Sequence, residues 1–340
     1  MADAKLKTKD RVLQDLLEHV GSYVSGDQLA QDLDISRESV WKAVKSLQKD
    51  GHVITSKKKT GYAYMRSNHI DQRVVTHYLN GLSHGKQAFD KIEIVENTAS
   101  TQTDAKDYLA KHPAENPTLF SSRTMGAGYG RRGRAFFAPK DHGLYISLSL
   151  PIKEKNQVVA SLLTTSAAVV IAQVIEQNFP KVSVDLKWVN DLIINRHKVG
   201  GIITEAVFDM ETQQYTALVI GFFVNILPAD YPDEISQKAG SVLTTKEAWV
   251  DWNLLLAQFT LALIKMGDDY LDGRYLEDYR KRSLLIGKSV SVQVGQDVIA
   301  GEVQGVSDQA GLEIKQDDGS VKTLYAGEVT KVKLLENLNL

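Results

Sequence analysis

The spacing of apolar residues changes twice along this 340-residue chain, and each change predicts a different kind of domain. Residues 1–66 place apolar side chains at helical spacing, residues 67–284 alternate strand and helix patterns, and residues 285–340 hold short strands separated by Gly, Asp and Gln turns. The sequence therefore predicts an α+β multidomain fold with three domains at those boundaries. We expect a mixed sheet in the middle domain and a small SH3-like β-barrel in the last.

The first segment has the pattern of a helix-turn-helix. Ser25 and Ser36 are placed to cap the second and third of three short helices, and only Asp34 and Ile35 lie between those two helices. So tight a connection predicts a helix-turn-helix, whose third helix is shaped to enter a major groove. The apolar positions assigned to that helix are Val40, Trp41, Val44 and Leu47.

A hairpin pattern follows the third helix, with strands over 52–55 and 62–64 and a lysine-rich tip. It makes the predicted domain a winged helix, in which the tip contacts phosphates while the helix reads base edges. The alternative is a protein-binding helical module whose lysines are a solvated turn. The candidate DNA-binding residues are Ser36, Arg37, Glu38, Lys42, Lys45, Lys57, Lys58 and Lys59.

Charge and composition set further limits. The whole chain has a net charge of -2, but residues 1–66 carry twelve Lys and Arg against nine Asp and Glu, a modest excess of +3 that supports nucleic-acid binding only weakly. The absence of cysteine excludes disulfides, thiolate zinc sites and a cysteine nucleophile. No apolar run approaches the roughly 20 residues of a membrane span, and the N-terminus lacks the apolar core of a signal peptide, so we expect a cytoplasmic protein.

Residues 128–134 read Gly-Tyr-Gly-Arg-Arg-Gly-Arg, a loop suited to binding phosphate. Backbone N–H groups and the guanidinium groups of Arg131, Arg132 and Arg134 can surround a phosphate, while the glycines allow close approach. Further along come Lys-Trp-Val-Asn-Asp at 187–191 and then Lys198. The Lys198 ammonium can lie between a carboxylate and the α-phosphate that it attacks, offsetting the repulsion between two anions. The pattern predicts activation of a carboxylate by ATP, with Lys198, Arg131 and Arg134 as the catalytic candidates.

A polar cluster at Ser100, Thr101 and Gln102 follows a predicted strand and starts a helix. Such side chains can hydrogen-bond the polar head of a ligand, although a cluster of this kind is more often only a helix cap. The remaining pattern predicts a helix over 157–179 and strands over 184–188, 192–195, 200–208 and 215–225.

In combination and order, the arginine loop, the Lys-Trp-x-Asn-Asp run and the Lys-x-x-Gly run resemble the bifunctional biotin-protein ligases that also repress biotin operons. The resemblance extends over the whole chain. It implies that the chain makes biotinyl-5′-AMP from biotin and ATP and transfers biotin to a lysine of a biotin carboxyl carrier protein domain. It also implies a homodimer on operator DNA, with the adenylate as corepressor.

The resemblance also implies roles for individual site residues. Asn190 and Asp191 would orient the triphosphate or its Mg²⁺ ion, and the protein is expected to build no separate metal site. The biotin-binding residues are Ser100, Thr101, Gln102, Met125, Tyr129, Gly130, Arg131 and Lys198. The ATP-binding residues are Arg131, Arg132, Arg134, Phe136, Lys187, Asn190, Asp191 and Asn225.

The chain departs from the family pattern at three ligand positions. Met125 replaces a glutamine, Tyr129 replaces an arginine or lysine, and Phe223 replaces a glycine; Phe136, where tryptophan is common, could still stack on adenine. One explanation is that Met125 and Phe223 compensate each other by packing and leave a working site. The other is a transcription factor whose altered pocket senses biotin or a related acid without ligation. The retained arginines and lysines favour the first.

Overall fold

The computed structural model describes residues 6–134, 136–152, 158–246 and 248–333. Its contacts divide the chain into two compact units, one formed by residues 1–87 with 249–257 and the other by residues 88–248 with 258–340. The proposed boundaries after residues 66 and 284 stay predictions.

The first unit contains the predicted three helices and hairpin. The hydroxyl oxygens of Ser25 and Ser36 accept hydrogen bonds from the backbone N–H groups of Gln28 and Ser39 at 3.0 and 3.1 Å, so both predicted caps are confirmed. Its elements are α1 (Thr8–Glu18), α2 (Gly26–Asp32), α3 (Arg37–Lys49), β1 (His52–Lys57), β2 (Gly61–Ser67) and α4 (Gln72–Leu82).

The core of this unit packs the apolar faces of α1, α2 and α3 together. All four apolar residues assigned to the third helix lie in α3; Val40, Val44 and Leu47 are buried, whereas Trp41 is 51% exposed. Residue 41 is one position from Val40, which rotates it by about 100° around the helix onto the face that carries Arg37 and Lys45.

The second unit is built on a seven-stranded sheet in the order β3-β4-β5-β9-β8-β7-β6. Strands β3 and β4 are parallel and the other pairs are antiparallel, which confirms the predicted mixed sheet. The elements are β3 (Lys91–Thr98), α5 (Thr101–Leu109), β4 (Thr118–Met125), β5 (Gly143–Pro151), α6 (Ala160–Asn178), β6 (Asp185–Lys187), β7 (Asp191–Ile194), β8 (His197–Asp209), β9 (Gln214–Asn225), α7 (Asp233–Ser236), α8 (Trp252–Asp269), which belongs to this unit from residue 258 onward, and α9 (Leu276–Arg282).

Helix α6 packs against β6, β7, β8 and α9. Among the described helices, it alone is long and apolar enough to cross a membrane, but 78% of its apolar window is buried inside the protein. An apolar helix covered in this way is typical of a protein core.

The last strands of this unit form a second sheet, with buried valine, leucine and isoleucine side chains on its inner face. Its order is β13-β12-β11-β10-β14, and as far as residue 333 the two edge strands are not paired with each other. The predicted sheet domain is confirmed, whereas its closure into an SH3-like barrel is not. The strands are β10 (Ser289–Val294), β11 (Asp297–Val306), β12 (Leu312–Lys315), β13 (Val321–Leu324) and β14 (Glu328–Lys333).

Candidate functional site

A cavity of about 600 Å³ lies in the second unit, between the arginine loop, the start of α5, and strands β7, β8 and β9. The structure brings together there every residue predicted to bind biotin or ATP except Arg132, whose side chain is not among those that the structure describes. The predicted residues that line it are Ser100, Thr101, Gln102, Met125, Tyr129, Gly130, Arg131, Arg134, Phe136, Lys187, Asn190, Asp191, Lys198 and Asn225.

Strand β9 forms the floor of this cavity with alternate residues. Gly221, Phe223 and Asn225 line it, as expected for positions that share one face of a strand. Gly221 is paired with Ser147 of β5, and Phe223 is paired with Gly201 of β8. Phe223 therefore lies on the floor between a polar end near Ser147 and a second end near Asn225.

The polar end is a hydrogen-bonded cluster at the start of α5. The hydroxyl oxygens of Thr101 and Ser147 lie 2.9 Å apart, and Ser147 donates to Oε1 of Gln102 at 3.0 Å. Gln102 donates through Nε2 to Oε2 of Glu205 at 2.6 Å. Ser100 caps α5 by accepting the Thr103 N–H, so it shapes the backbone of the cluster. These groups can bind the polar head of a ligand.

Glu205 is the member of this cluster that the sequence analysis missed. The signal was available, because residues 201, 203 and 205 of β8 alternate onto one face and Gly201 belongs to a recognised motif. Glu205 also accepts from Lys106 at 3.1 Å, and the Lys106 ammonium lies 5.8 Å from the ring centre of Tyr129 in the arginine loop. Burial lowers the pKa of Lys106, but hydrogen bonds to Tyr129 and Glu205 outweigh this effect and raise the pKa overall.

Lys198 lies at the junction of the cavity's two ends. Its Nζ is 2.6 Å from Oδ1 of Asp191 and 5.8 Å from the ring centre of Phe223. A Cβ atom at position 201 would lie 3.3 Å from the Lys198 ammonium, so the glycine leaves room for the lysine side chain. The ammonium is held by a carboxylate and an aromatic face, and it remains partly exposed toward a ligand.

The aromatic residues adopt an arrangement that the sequence did not predict. Phe223 stacks on Phe136, with ring centres 3.8 Å apart and planes inclined by 34°. The thioether of Met125 lies 3.8 Å from the Thr101 hydroxyl, in the polar end. The sequence analysis proposed that Phe223 and Met125 compensate each other by packing; the ring partner that the structure shows for Phe223 is Phe136 instead.

The remaining candidates lie around the second end of the cavity. Arg131, which starts a short 3₁₀ helix (Arg131–Gly133), donates to the carbonyl oxygen of Gly327, the residue before β14 of the C-terminal sheet. Asn190 donates to the carbonyl oxygen of Ile202 at 2.8 Å and Asn225 to that of Gly240 at 3.1 Å. Oδ1 of Asn225 is buried with no hydrogen-bond donor among the described residues. Such an acceptor is stabilised by a donor from a ligand.

Three models of known families match the chain. They are the biotin/lipoate A/B protein ligase family over residues 94–224, an HTH domain over residues 9–63, and the biotin protein ligase C terminal domain over residues 285–332. The central part of the chain, residues 94–224, is thus similar to the biotin/lipoate A/B protein ligase family. The matched catalytic segment contains the whole arginine loop and Lys198.

Curated relatives align with nearly the full length of the chain. The bifunctional ligase/repressor BirA of Bacillus subtilis (strain 168) is 26% identical over 326 residues, covering 93% of this chain and 97% of the relative. The bifunctional ligase/repressor BirA of Escherichia coli (strain K12) is 25% identical over 313 residues, covering 91% and 93%. The biotin protein ligase from Aquifex aeolicus, solved in complex with biotin and ATP, superposes with a TM-score of 0.56 at 23% identity over 72% of this chain and 98% of that one, which shows a shared fold.

The candidate DNA-binding residues lie on α3 and at the turn of the hairpin, within the segment that matches the HTH domain. Lys42 pairs with Glu38 at 2.7 Å, Arg37 pairs with Asp27, and Lys45 donates to Gln48 at 3.3 Å. Ser36 caps α3, so its hydroxyl has a structural partner. The exposed tip carries Lys57, Lys58 and Lys59.

Proposed function

We propose that the chain is an ATP-dependent biotin-protein ligase that also binds DNA as a repressor of biotin genes. The observation that carries the proposal is that one cavity joins a polar end at Gln102, a centrally placed Lys198 and the arginine loop. An acid bound by its head at the polar end would extend its carboxylate past Phe223 toward Lys198. ATP would occupy the other end.

In the first step, a biotin carboxylate oxygen attacks the α-phosphorus of ATP, and pyrophosphate leaves. Lys198 offsets the repulsion between the two anions, while Arg131 and Arg134 hold phosphate oxygens, with Arg132 and Lys187 as further phosphate ligands. Phe136 offers a ring to the adenine, and Asn225 offers its buried acceptor to the adenine amine. In the second step, a carrier lysine attacks the acyl carbon and AMP leaves.

Mg²⁺ fits the donor set of this site. Asp191 offers a carboxylate and Asn190 a side-chain carbonyl oxygen, since its amide nitrogen already donates to Ile202. Within the described residues, no three Asp, Glu or His side chains come together as metal ligands. Mg²⁺ commonly binds through one or two such oxygens, substrate phosphates and water, and when bound it would offset the triphosphate charge.

Exchange of labelled pyrophosphate into ATP tests the ligase, with biotin, lipoate and octanoate assayed in parallel. Biotin-dependent exchange, followed by labelling of a carrier domain, is expected. The rival function is a transcription factor that senses an acid without ligating it. The contact between Phe136 and Phe223 favours this rival, because it narrows the centre of the cavity. Exchange with none of the three acids would support that rival.

DNA binding by a single recognition helix implies a symmetric dimer on a palindromic operator. We assign the dimer interface to an edge of the central sheet, where β8 runs on through residues 202–209 beyond its described pairing with β7. Biotinyl-5′-AMP would act as corepressor by favouring this dimer, and sedimentation with and without the adenylate measures the effect. An unchanged dimer constant would count against it.

Three further assignments belong to this proposal. The winged helix would occupy residues 1–66, the catalytic domain residues 67–284, and the C-terminal domain residues 285–340. The C-terminal sheet would act as an SH3-like barrel that covers the ATP end and receives the carrier domain, consistent with the contact between Arg131 and Gly327. The protein would work in the cytoplasm, where its carrier and operator are found.

A further inference from the structure

We infer that Glu205 is a positioning residue that holds the Gln102 amide in one orientation and so selects acids whose head presents an N–H beside a C=O, as a urea does. This inference rests on the proposed function, because it takes the polar end of the cavity as the subsite for the acid's head. Glu205 itself need not touch the ligand.

Glu205 receives two side chains from consecutive turns of α5. Gln102 donates to one carboxylate oxygen at 2.6 Å and Lys106 donates to the other at 3.1 Å. Residues four apart on a helix lie on the same face, so one carboxylate on β8 can meet both. Its hydrogen bond to Lys106 holds the Glu205 carboxylate in place. Gln102 is only 4% exposed, which leaves its amide little room to adopt another position.

The donor or acceptor character of these partners fixes the orientation of the Gln102 amide. A carboxylate can only accept hydrogen bonds, so the NH₂ group of Gln102 must face Glu205. The Ser147 hydroxyl donates to Oε1 of Gln102 at 3.0 Å, so the carbonyl end is also set. An amide has two N–H groups and two acceptor sites, and one of each remains for a ligand in the cavity. That remaining pair is complementary to a donor and an acceptor held side by side.

The same carboxylate is connected to the arginine loop. Lys106, besides its bond to Glu205, lies 5.8 Å from the ring centre of Tyr129, which lines the cavity. Glu205 thus connects strand β8, helix α5 and the arginine loop through side-chain contacts. Its replacement is therefore expected to affect the subsite for the acid's head more than the rest of the cavity.

The test replaces the carboxylate by a group of the same size that both donates and accepts. In Glu205→Gln, the Gln102 amide is free to turn over, and the KM for biotin in pyrophosphate exchange is expected to rise about tenfold or more while the KM for ATP stays within about twofold. The matched control is Glu211→Gln, the same change at an exposed position. Glu205→Asp keeps the charge and should recover part of the loss.

A second readout separates orientation from general damage. Protonated 2-iminobiotin carries a donor where biotin has its urea oxygen, so the wild-type protein should prefer biotin. The ratio of the two KM values should fall toward one in Glu205→Gln, because a mobile amide can serve either ligand. A purely structural defect would raise both values together, and that result, or an unchanged KM for biotin, overturns the inference.

Other outcomes are also decisive. If Glu205→Gln does not fold, Glu205→Asp is compared alone, and a wild-type KM for biotin in that variant overturns the inference. Wild-type protein that shows no exchange refutes the proposed ligase, and biotin binding is then measured by calorimetry. In that case an equal Kd for wild type and Glu205→Gln, or no binding by the wild type, also ends the positioning role.

Discussion

Replacing Gly221 with alanine perturbs the polar end of the cavity at its floor. The added methyl group would lie 3.0 Å from Cδ of Gln102 and 2.9 Å from Cγ2 of Ile203, and closer still to Oε1 of Gln102. Ordinary van der Waals contact begins at 3.4 Å, so Gln102 has to withdraw. Because its amide is buried and bonded at both ends, this movement disrupts the hydrogen bonds to Ser147 and Glu205.

The magnitude follows from that displacement. A shift on the order of 1 Å in a group that positions a substrate can lower the rate about a hundredfold, so kcat/KM for biotin should fall by about that factor. Forcing one methyl group into a packed site destabilises a protein by about 1–3 kcal/mol, and the free energy of unfolding should fall within that range. The KM for ATP should change little, because Gly221 lies at the acid's end of the floor.

Pyrophosphate exchange at varied biotin and at varied ATP provides the assay, and urea unfolding reports stability. Gly126→Ala is the matched control, since a methyl group there would meet no described heavy atom within 4 Å. Wild-type kinetics in Gly221→Ala at normal stability would refute the reasoning. So would a loss in which the KM values for ATP and biotin rise equally.

Three other predictions address separate parts of the molecule. Lys198→Ala should lower the rate of pyrophosphate exchange about a hundredfold or more. DNA binding by the protein without adenylate should be retained in a mobility-shift assay. Exchange that survives would mean that another group offsets the repulsion between the two anions. Replacing Lys57, Lys58 and Lys59 together with alanine should reduce the slope of log affinity against log salt for duplex DNA by about one per lysine, and an unchanged slope excludes phosphate contacts by the hairpin tip. Burial lowers the pKa of His52, and this effect outweighs the opposing effect of Asp71. The unfolded chain therefore binds a proton that the folded protein does not, so the free energy of unfolding should fall as the pH drops below about 6.5. Urea unfolding measures this dependence, which should be less steep in His52→Gln.

The sequence predicted well those features that depend on neighbours in the chain. The capping serines at 25 and 36 act through residues three positions away, and the arginine loop owes its character to its own glycines and arginines. The strands of the mixed sheet were found to within a few residues, because alternation of apolar side chains is a local pattern.

Features that depend on distant partners were not predicted. Phe223 of β9 packs against Phe136, which lies in the connection between β4 and β5, and no local pattern specifies that contact. Glu205 reads as one more polar residue on an amphipathic strand until α5 brings Gln102 and Lys106 to it.

In the proposed mechanism, Lys198 is a catalytic cation, and its pair with Asp191 holds it in the cavity without inactivating it. Lys198 is 39% exposed and Asp191 is 23% exposed, so solvent screens their attraction, and pairs of this kind contribute only about 0–1 kcal/mol. A stronger, fully buried pair would cost several kcal/mol to break. Because a pair of this kind is weak, the proposed substrate carboxylate would replace Asp191 at small cost, and Asp191 would then be available to the triphosphate and its metal ion. In the proposed mechanism, the exposure of the two side chains is therefore the property that would let the Lys198 ammonium pass from Asp191 to the substrate carboxylate.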